Sequence, residues 1–449
     1  MNKNNTPSIN QLDQETNIDS IIRWIDSLNS GLKVSLRKIS LKESDFWFYS
    51  EKSGQISNRN NSFFRITGLQ KIIDDKVILE QPIIIQKEIG YLGIICKEFD
   101  GVMHFLMQAK IEPGNINKVQ ISPTIQATKS NFTQKHGGKK PAYLDYFINA
   151  SKYKIIVDQI QSEQSSRFFG KRNRNIIIEV NEEIEVLPSH RWMTLKQIKT
   201  LMRYDNLVNM DTRTVLSCIP INQMERMGEI TDNSLIKSMF NNEPTNIPEM
   251  YSYINDCKMF DEGTYKFVPL HELKSWDMKD DEIVCKHPYS FKVIYCDIEI
   301  EGREVKKWTQ PLFEATGKAT FGLMTCIDNG VRKFLVQALP EVGCFDTIEI
   351  APSIQREYIY NKGKNCVDAL FDEKIKKGTD LKFDTLLSEE GGRFYCEQNR
   401  NLIVEIDKSE LPKLPDGYFW TDYKTLNQLI QVNNCLNIQL RNLLSVLEW

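Results

Sequence analysis

Short apolar runs broken by glycine and aspartate mark out the first half of the chain. "KVILEQPIIIQ" (76–86), "YLGIICKEFDGVMHFLMQAK" (91–110) and "NIIIEV" (175–180) alternate or cluster Val, Ile, Leu and Phe over strand lengths, which predicts strands and hairpins. The period then lengthens. Thr194 is placed to cap a helix carrying Leu195, Ile198, Leu201 and Met202 on one face, and Asp211-Thr212 to start another. Ahead of the first strand, Ile21, Trp24, Ile25 and Leu28 form a helical stripe that predicts a docking helix in search of an apolar partner. Strands followed by helices within one unit is an α+β pattern.

The pattern occurs twice. "FLMQAKIEPGNINKVQISPTIQ" (105–126) recurs as "FLVQALPEVGCFDTIEIAPSIQ" (334–355), at an offset of 229. "SEQSSRFFGKRNRNIIIEV" (162–180) matches "SEEGGRFYCEQNRNLIVEI" (388–406) at offset 226, and "NMDTRTVLS" matches "NIQLRNLLS" at 228. Offsets that drift by a few residues are what loop insertions produce. The expected organisation is a disordered leader over 1–17, a first repeat with its leading helix over 18–238, a linker over 239–250 and a second repeat over 251–449.

Composition narrows the function classes. A net charge of −3 and 26 % charged residues argue against a general nucleic-acid binder. No apolar run reaches membrane-spanning length, and the ten cysteines form no C-x-x-C pair, so the expectation is a cytoplasmic protein with reduced thiols. The five histidines (104, 136, 190, 271, 287) show no ligand spacing, no G-x-G-x-x-G occurs, and "TGKAT" (316–320) lacks the glycine and hydroxyl residue of a phosphate loop. Neither a metal nor a redox cofactor is expected.

"QAKIEPGN" (108–115), "SPTIQATKSN" (122–131), "SEQSSRF" (162–168) and "KRNRN" (171–175), in this order, resemble the NDP-hexose 2,3-dehydratase family of deoxysugar biosynthesis. The resemblance implies two Nudix-like α+β modules per subunit and a homodimer. It implies loss of water across C2–C3 of a dTDP-4-keto-6-deoxyhexose, with a 3-ketoreductase downstream. A non-catalytic nucleotide-sugar-binding protein with duplicated pockets is the alternative. A Nudix hydrolase is disfavoured, because the R-E-x-x-E-E core that carries its metal is absent.

The second repeat serves as a control for the first. Gln108, Glu112, Gly114 and Gln126 stand in both, whereas Lys110 faces Leu339, Asn115 faces Cys344, Ser122 faces Ala351 and His136 faces Asn365. Polar density is concentrated in the first repeat, which places the active site there. The catalytic candidates are Lys110, Glu112, His136 and Tyr143, for proton transfer and for holding the enolate or keto oxygen. Each has a plainer alternative: an edge charge, a turn cap, a loop histidine and a helix tyrosine. Gln108, Asn115, Ser122, Gln126, Thr128, Lys129, Ser130, Asn131 and Phe132 read as one wall of a sugar site rich in neutral donors and acceptors. Ser166, Arg167, Lys171, Arg172 and Arg174 are further substrate-binding candidates, with Lys171 and Arg172 the phosphate ligands, although Arg174, kept in both repeats, suits a tight turn. Trp47 is either core or a platform for the base, and Trp276 is its counterpart. Trp276, Gln355, Arg356, Glu390, Gly391, Gly392 and Arg393 are assigned to a second pocket in the second repeat.

Overall fold

Four sheets carry the two repeats, and each of the two smaller ones borrows a strand from the other half. The computed structural model describes residues 17–447 except 61, 130–139, 229, 302–304 and 360–362. In the first half the strands are β1 Val34–Ile39, β2 Trp47–Ser50, β3 Gln55–Asn58, β4 Arg65–Ile73, β5 Lys76–Ile85 and β6 Gly90–Phe99. They continue as β7 Val102–Ile111, β8 Val119–Ser122, β9 Ile125–Ala127, β10 Lys154–Ser162, β11 Arg172–Glu179 and β12 His190–Thr194. The second half repeats the set: β13 Thr264–Val268, β14 Trp276–Met278, β15 Glu282–Cys285, β16 Phe291–Ile300, β17 Lys307–Ala315 and β18 Thr320–Asp328. Its last six are β19 Val331–Pro340, β20 Ile348–Pro352, β21 Ile354–Arg356, β22 Leu381–Ser388, β23 Gln398–Glu405 and β24 Tyr418–Asp422.

The large sheet of the first half runs β10-β11-β6-β7-β12, with β8 on β7 and β9 on β6; that of the second half runs β22-β23-β18-β19-β20, with β24 also on β19 and β21 on β18. β11 lies parallel to β6, and helices cover the sheet. That explains why Ile176, Ile177 and Ile178 form an unbroken run, since all three are fully buried. The residue runs read as strands and the α+β class are thus borne out.

The small sheets differ from two separate modules. β1 pairs antiparallel with β16 of the second half (Val34↔Ile300 to Ile39↔Tyr295), while β13 pairs with β4 of the first (Thr264↔Ile72 to Val268↔Gly68). β1 and β13 are repeat counterparts, so the exchange is reciprocal.

Thr194 caps the helix Leu195–Leu201 through a capping box with Gln197, and Leu195, Ile198, Leu201 and Met202 are all buried. The next helix, Met210–Ser217, is capped by Asn209 rather than Asp211. The leading helix Ile18–Ser30 buries Ile21, Trp24 and Ile25 within this chain's own main core, so its stripe gives no argument for a second subunit. Its counterpart Ile247–Met259 buries Met250 and Ile254. The stretch expected as a linker therefore shrinks, because Met239 ends one helix and Ile247–Met250 begin the next. The main core joins the halves, with Phe105, Met107 and Ile198 in one cluster with Phe334, Leu426 and Leu440. No helix among the described residues is long and apolar enough to cross a membrane.

Candidate active site

A tight turn after β7 in one half docks on a loop of the other, and this happens twice. The Gly114 amide donates to the Gly391 carbonyl at 2.7 Å, and the Cys396 amide donates to the Gly114 carbonyl at 2.9 Å. Any side chain at Gly114 would meet the Phe394 carbonyl, because an added Cβ falls 1.7 Å from that oxygen. The same docking recurs with Gly343, whose amide donates to the Ser165 carbonyl at 2.8 Å. Two matched clefts result, each completed by the opposite half.

The first cleft is built from β7, β9, β11 and the start of the helix Met210–Ser217. Gln126 Nε2 donates to Glu112 Oε1 at 3.0 Å, while Asn209 Nδ2 reaches Gln126 Oε1 at 3.2 Å and Ser122 Oγ at 3.0 Å. Lys110 Nζ lies 3.5 Å from Glu112 Oε1 and donates to the Gln126 carbonyl at 3.3 Å. Asn173 Nδ2 donates to Glu163 Oε1 at 2.6 Å, and Lys171 Nζ donates to Asn173 Oδ1 at 2.8 Å. Asp211 from the helix and Glu390 from the second half complete the group.

Burial dominates the electrostatics here. It pushes the Glu390 carboxyl up to about 7, helped by the nearby charge of Glu112. Burial, then Glu163, raises Asp211 well above the usual carboxylate range, and burial also raises Glu163. Lys171 is lowered to about 8 by burial, partly opposed by Glu163. Glu163 Oε2, Asp211 Oδ1 and Glu390 Oε2 are buried without a hydrogen-bond partner among the described residues. Three carboxyl oxygens are thus available to a ligand or to a proton.

In the second cleft, Gln355 Nε2 donates to Glu341 Oε1 at 3.0 Å, Asn437 Nδ2 to Gln355 Oε1 at 2.8 Å, and Asn399 Nδ2 to Glu389 Oε1 at 2.7 Å. The charges differ. Leu339 replaces Lys110, Glu397 replaces Lys171, Glu357 replaces Thr128 and Gln439 replaces Asp211. Glu397 is taken up by Arg167, whose Nη1 lies 2.6 and 2.8 Å from its two oxygens.

The predicted residues divide accordingly. Lys110, Glu112, Asn115, Ser122, Gln126 and Lys171 come together at or beside the first cleft, and Gln108 lies opposite Ser122 in the β7–β8 register. Thr128 and Lys129 lead up to 130–139, so His136, Ser130, Asn131 and Phe132 lie outside the described residues. Gln355 lies in the second cleft, between Glu341 and Asn437.

The crossing of the halves corrects several assignments. Glu390, Gly391, Gly392 and Arg393 serve the first cleft, where an added Cβ at Gly391 would lie 2.2 Å from Asn115 Oδ1 and 2.9 Å from Glu112 Cβ. Ser166 and Arg167 lie in the loop that serves the second. Tyr143 is removed from the catalytic set: its hydroxyl donates to the Glu185 carbonyl at 2.8 Å and accepts from the Leu187 amide at 3.0 Å. Trp47 and Trp276, each 4 % exposed, are core residues with no ring face left for a base. Arg174 is in strand β11, not a turn, and pairs bidentately with Asp158 at 2.6 Å, as Arg400 does with Asp384. Arg172 stacks on Phe345 at 3.8 Å, and Arg356 is held by Asp372 and Asp368 beside the helix Cys366–Lys377.

Glu163, Asn173, Asn209 and Asp211 were missed. The signal for Asp211 was present, since "NMDTRTVLS" aligns with "NIQLRNLLS" and puts the acid in only one repeat. For Glu163, kept as Glu389, the repeat gave no contrast to read.

A fused pair of α+β halves sharing two matched, carboxyl- and amide-lined clefts is the class this architecture defines. The chain belongs to the NDP-hexose 2,3-dehydratase family, whose model matches residues 18–219 and 247–447, one region per repeat. It is 38 % identical over 414 residues to a dTDP-4-dehydro-6-deoxy-alpha-D-glucopyranose 2,3-dehydratase of Saccharopolyspora spinosa, covering 90 % of this chain and 85 % of that protein. A protein of the same name from Streptomyces violaceoruber is 35 % identical over 433 residues, with 94 % and 95 % covered.

Proposed function

We propose that this chain is a dTDP-4-dehydro-6-deoxy-D-glucose 2,3-dehydratase working at the first cleft. The charge difference between the clefts carries the choice of site. The first sets Lys110, Lys171 and Arg393 among Glu112, Glu163, Asp211 and Glu390, whereas at the matching positions the second keeps Arg167 alone among Glu341, Glu357, Glu389 and Glu397. The matched Arg213 and Arg441 do not reverse that contrast, since Arg441 stands near Glu163 of the first cleft and Arg213 near both Glu389 of the second and Asp211 of the first. Negative charge that develops on the substrate during the elimination is better tolerated in the first cleft.

The chemistry follows from the 4-keto group, which acidifies the hydrogen on C3. A carboxylate of the cleft takes that proton, and the C–H electron pair forms an enolate across C3–C4. The enolate collapses to restore C4=O, forms C2=C3 and expels the C2 hydroxyl, which leaves as water after receiving a proton from a neutral carboxyl. The resulting enol tautomerises to the 3,4-diketo sugar. The step is redox-neutral. Glu163, Asp211 and Glu390 suit proton handling because burial raises all three carboxyls above their usual range. Glu112, Gln126 and Asn209 suit orientation of sugar hydroxyls.

Purified protein incubated with dTDP-4-keto-6-deoxyglucose should generate the diketo species, trapped by a 3-ketoreductase or seen as dTDP release. Turnover should persist in EDTA without added NAD(P). No conversion under these conditions would end the reading. The reading also includes a cytoplasmic location and a homodimer, which now rests on the family alone. A monomer mass by light scattering at micromolar concentration would remove the dimer.

A further inference from the structure

Arg167 and Arg393 are counterparts, and each lies on an aromatic ring braced by a buried tryptophan. Arg167 sits 5.1 Å from the Phe291 ring, itself against Trp276; Arg393 sits 4.4 Å from the Phe64 ring, itself against Trp47. The two guanidinium groups are presented alike but partnered differently. Arg167 holds Glu397 at 2.6 Å and has Glu357 at 3.7 Å. At the positions of those two acids the first half has Lys171 and Thr128. Arg393 makes no ion pair among the described residues; its Nη1 donates to the Gly392 carbonyl at 2.8 Å, and its Nε is buried without a partner. Lys171 is 6 % exposed and gives its three ammonium hydrogens to the Glu88 carbonyl at 2.5 Å, the Arg172 carbonyl at 3.2 Å and Asn173 Oδ1 at 2.8 Å, so it offers charge rather than a free donor. The second half therefore carries, as Glu397, an anion that the first half lacks.

We propose that Arg393 and Lys171, one from each half, form an oxyanion site that receives the C4 oxygen as the enolate develops, in the place where the second half holds the Glu397 carboxylate. The proposal rests on the dehydratase reading and assigns it a charge-stabilising pair. As the C3–H electron pair moves into the C3–C4 bond, the carbonyl π pair moves onto oxygen, and that oxygen takes a hydrogen bond from Arg393 in the field of the Lys171 charge. When water leaves C2, the charge returns to the ring and the carbonyl is restored. The enolate fits this place better than the diphosphate does. Glu163 and Glu390 stand near Lys171, and Glu390 near Arg393, so a proton acceptor lies beside the carbonyl, whereas a diphosphate would face the same carboxyls. Lys171, with its pKa near 8, remains charged at neutral pH.

Lys171→Glu rebuilds the second half's arrangement and gives Arg393 the partner that Arg167 already has, so the variant should fold. Its kcat should fall by about 10²–10³, while dTDP binding by calorimetry stays within about threefold of wild type. Oxalate at millimolar concentration, a stable carboxylate probe, should raise the melting midpoint of the wild type but not of Lys171→Glu. A kcat kept within about fivefold would overturn the proposal, and so would equal oxalate protection of both proteins. A large loss of dTDP affinity would assign the pair to the diphosphate and overturn the enolate role. Should Lys171→Glu fail to fold, Arg393→Met, which removes charge from a partly exposed side chain, is read by the same measurements and limits. Wild-type protein that binds oxalate but never converts the sugar would end the dehydratase reading and leave the anion site standing.

Discussion

Lys110 Nζ lies 3.5 Å from Glu112 Oε1, and the second half has no such pair, because Leu339 stands where the lysine would be. There burial, with Glu357 nearby, pushes the Glu341 carboxyl up to about 7. Lys110→Leu should therefore lower kcat by roughly 10² or more while changing the melting midpoint little, since the same scaffold already accepts leucine beside a glutamate. Steady-state kinetics and thermal melts on the same preparation check both parts.

Tyr143→Phe should do the reverse. The hydroxyl is committed to the Glu185 carbonyl and the Leu187 amide, so its loss should cost about 1–2 kcal/mol of stability. Turnover should stay within about threefold of wild type. A fall of about 10² in kcat at unchanged stability would return this tyrosine to the catalytic set.

Burial pushes the Glu349 carboxyl up to about 8, and its Oε2 accepts from Ser162 Oγ at 2.7 Å. The unfolded chain releases this proton near pH ~4.3, so the folded state holds a proton that the unfolded state has lost. The stability it contributes is complete below that pH and is lost as pH rises toward 8. His190, lowered to about 4 by burial, acts in the opposite sense but only below about pH 6.5. Between pH 6.5 and 8 the melting midpoint should fall. Glu349→Gln, which copies Gln120 of the first half, should flatten that fall by at most about 1.4 kcal/mol per pH unit. Thermal melts across the window decide it.

Gly114→Ala should weaken the contact between the halves. The new methyl would press on the Phe394 carbonyl at 1.7 Å, so the turn must retreat from the loop that carries Glu390 and Arg393. A loss of about 1–3 kcal/mol is expected, with reduced turnover. Gly31→Ala is the control, its nearest neighbour being Leu28 O at 4.0 Å.

The strands, the Thr194 cap and the repeat were legible because periodicity and self-similarity are written locally. The crossing was not, for a physical reason. β1 and β13 occupy equivalent positions in near-equivalent halves, so either would satisfy either sheet, and the pattern carries no information about whose edge it meets. The same ambiguity misassigned the loops around Arg167 and Arg393. The stripe of Ile21, Trp24 and Ile25 announced a need for apolar cover without saying that this chain supplies it. The Arg174 charge looked available because Asp158, its partner, lies 16 residues away across a strand pair.

The reciprocal exchange of β1 and β13 also bears on how two unequal clefts arise. In a symmetric pair of single-repeat chains every substitution appears twice, once in each cleft. An acid that seals one guanidinium would seal the other as well. Joined in one chain, the positions of Lys171 and Glu397 vary separately, yet the swapped strands keep the halves from parting. One copy is free to become a brace with its anion built in, while the other keeps its cation for a visitor.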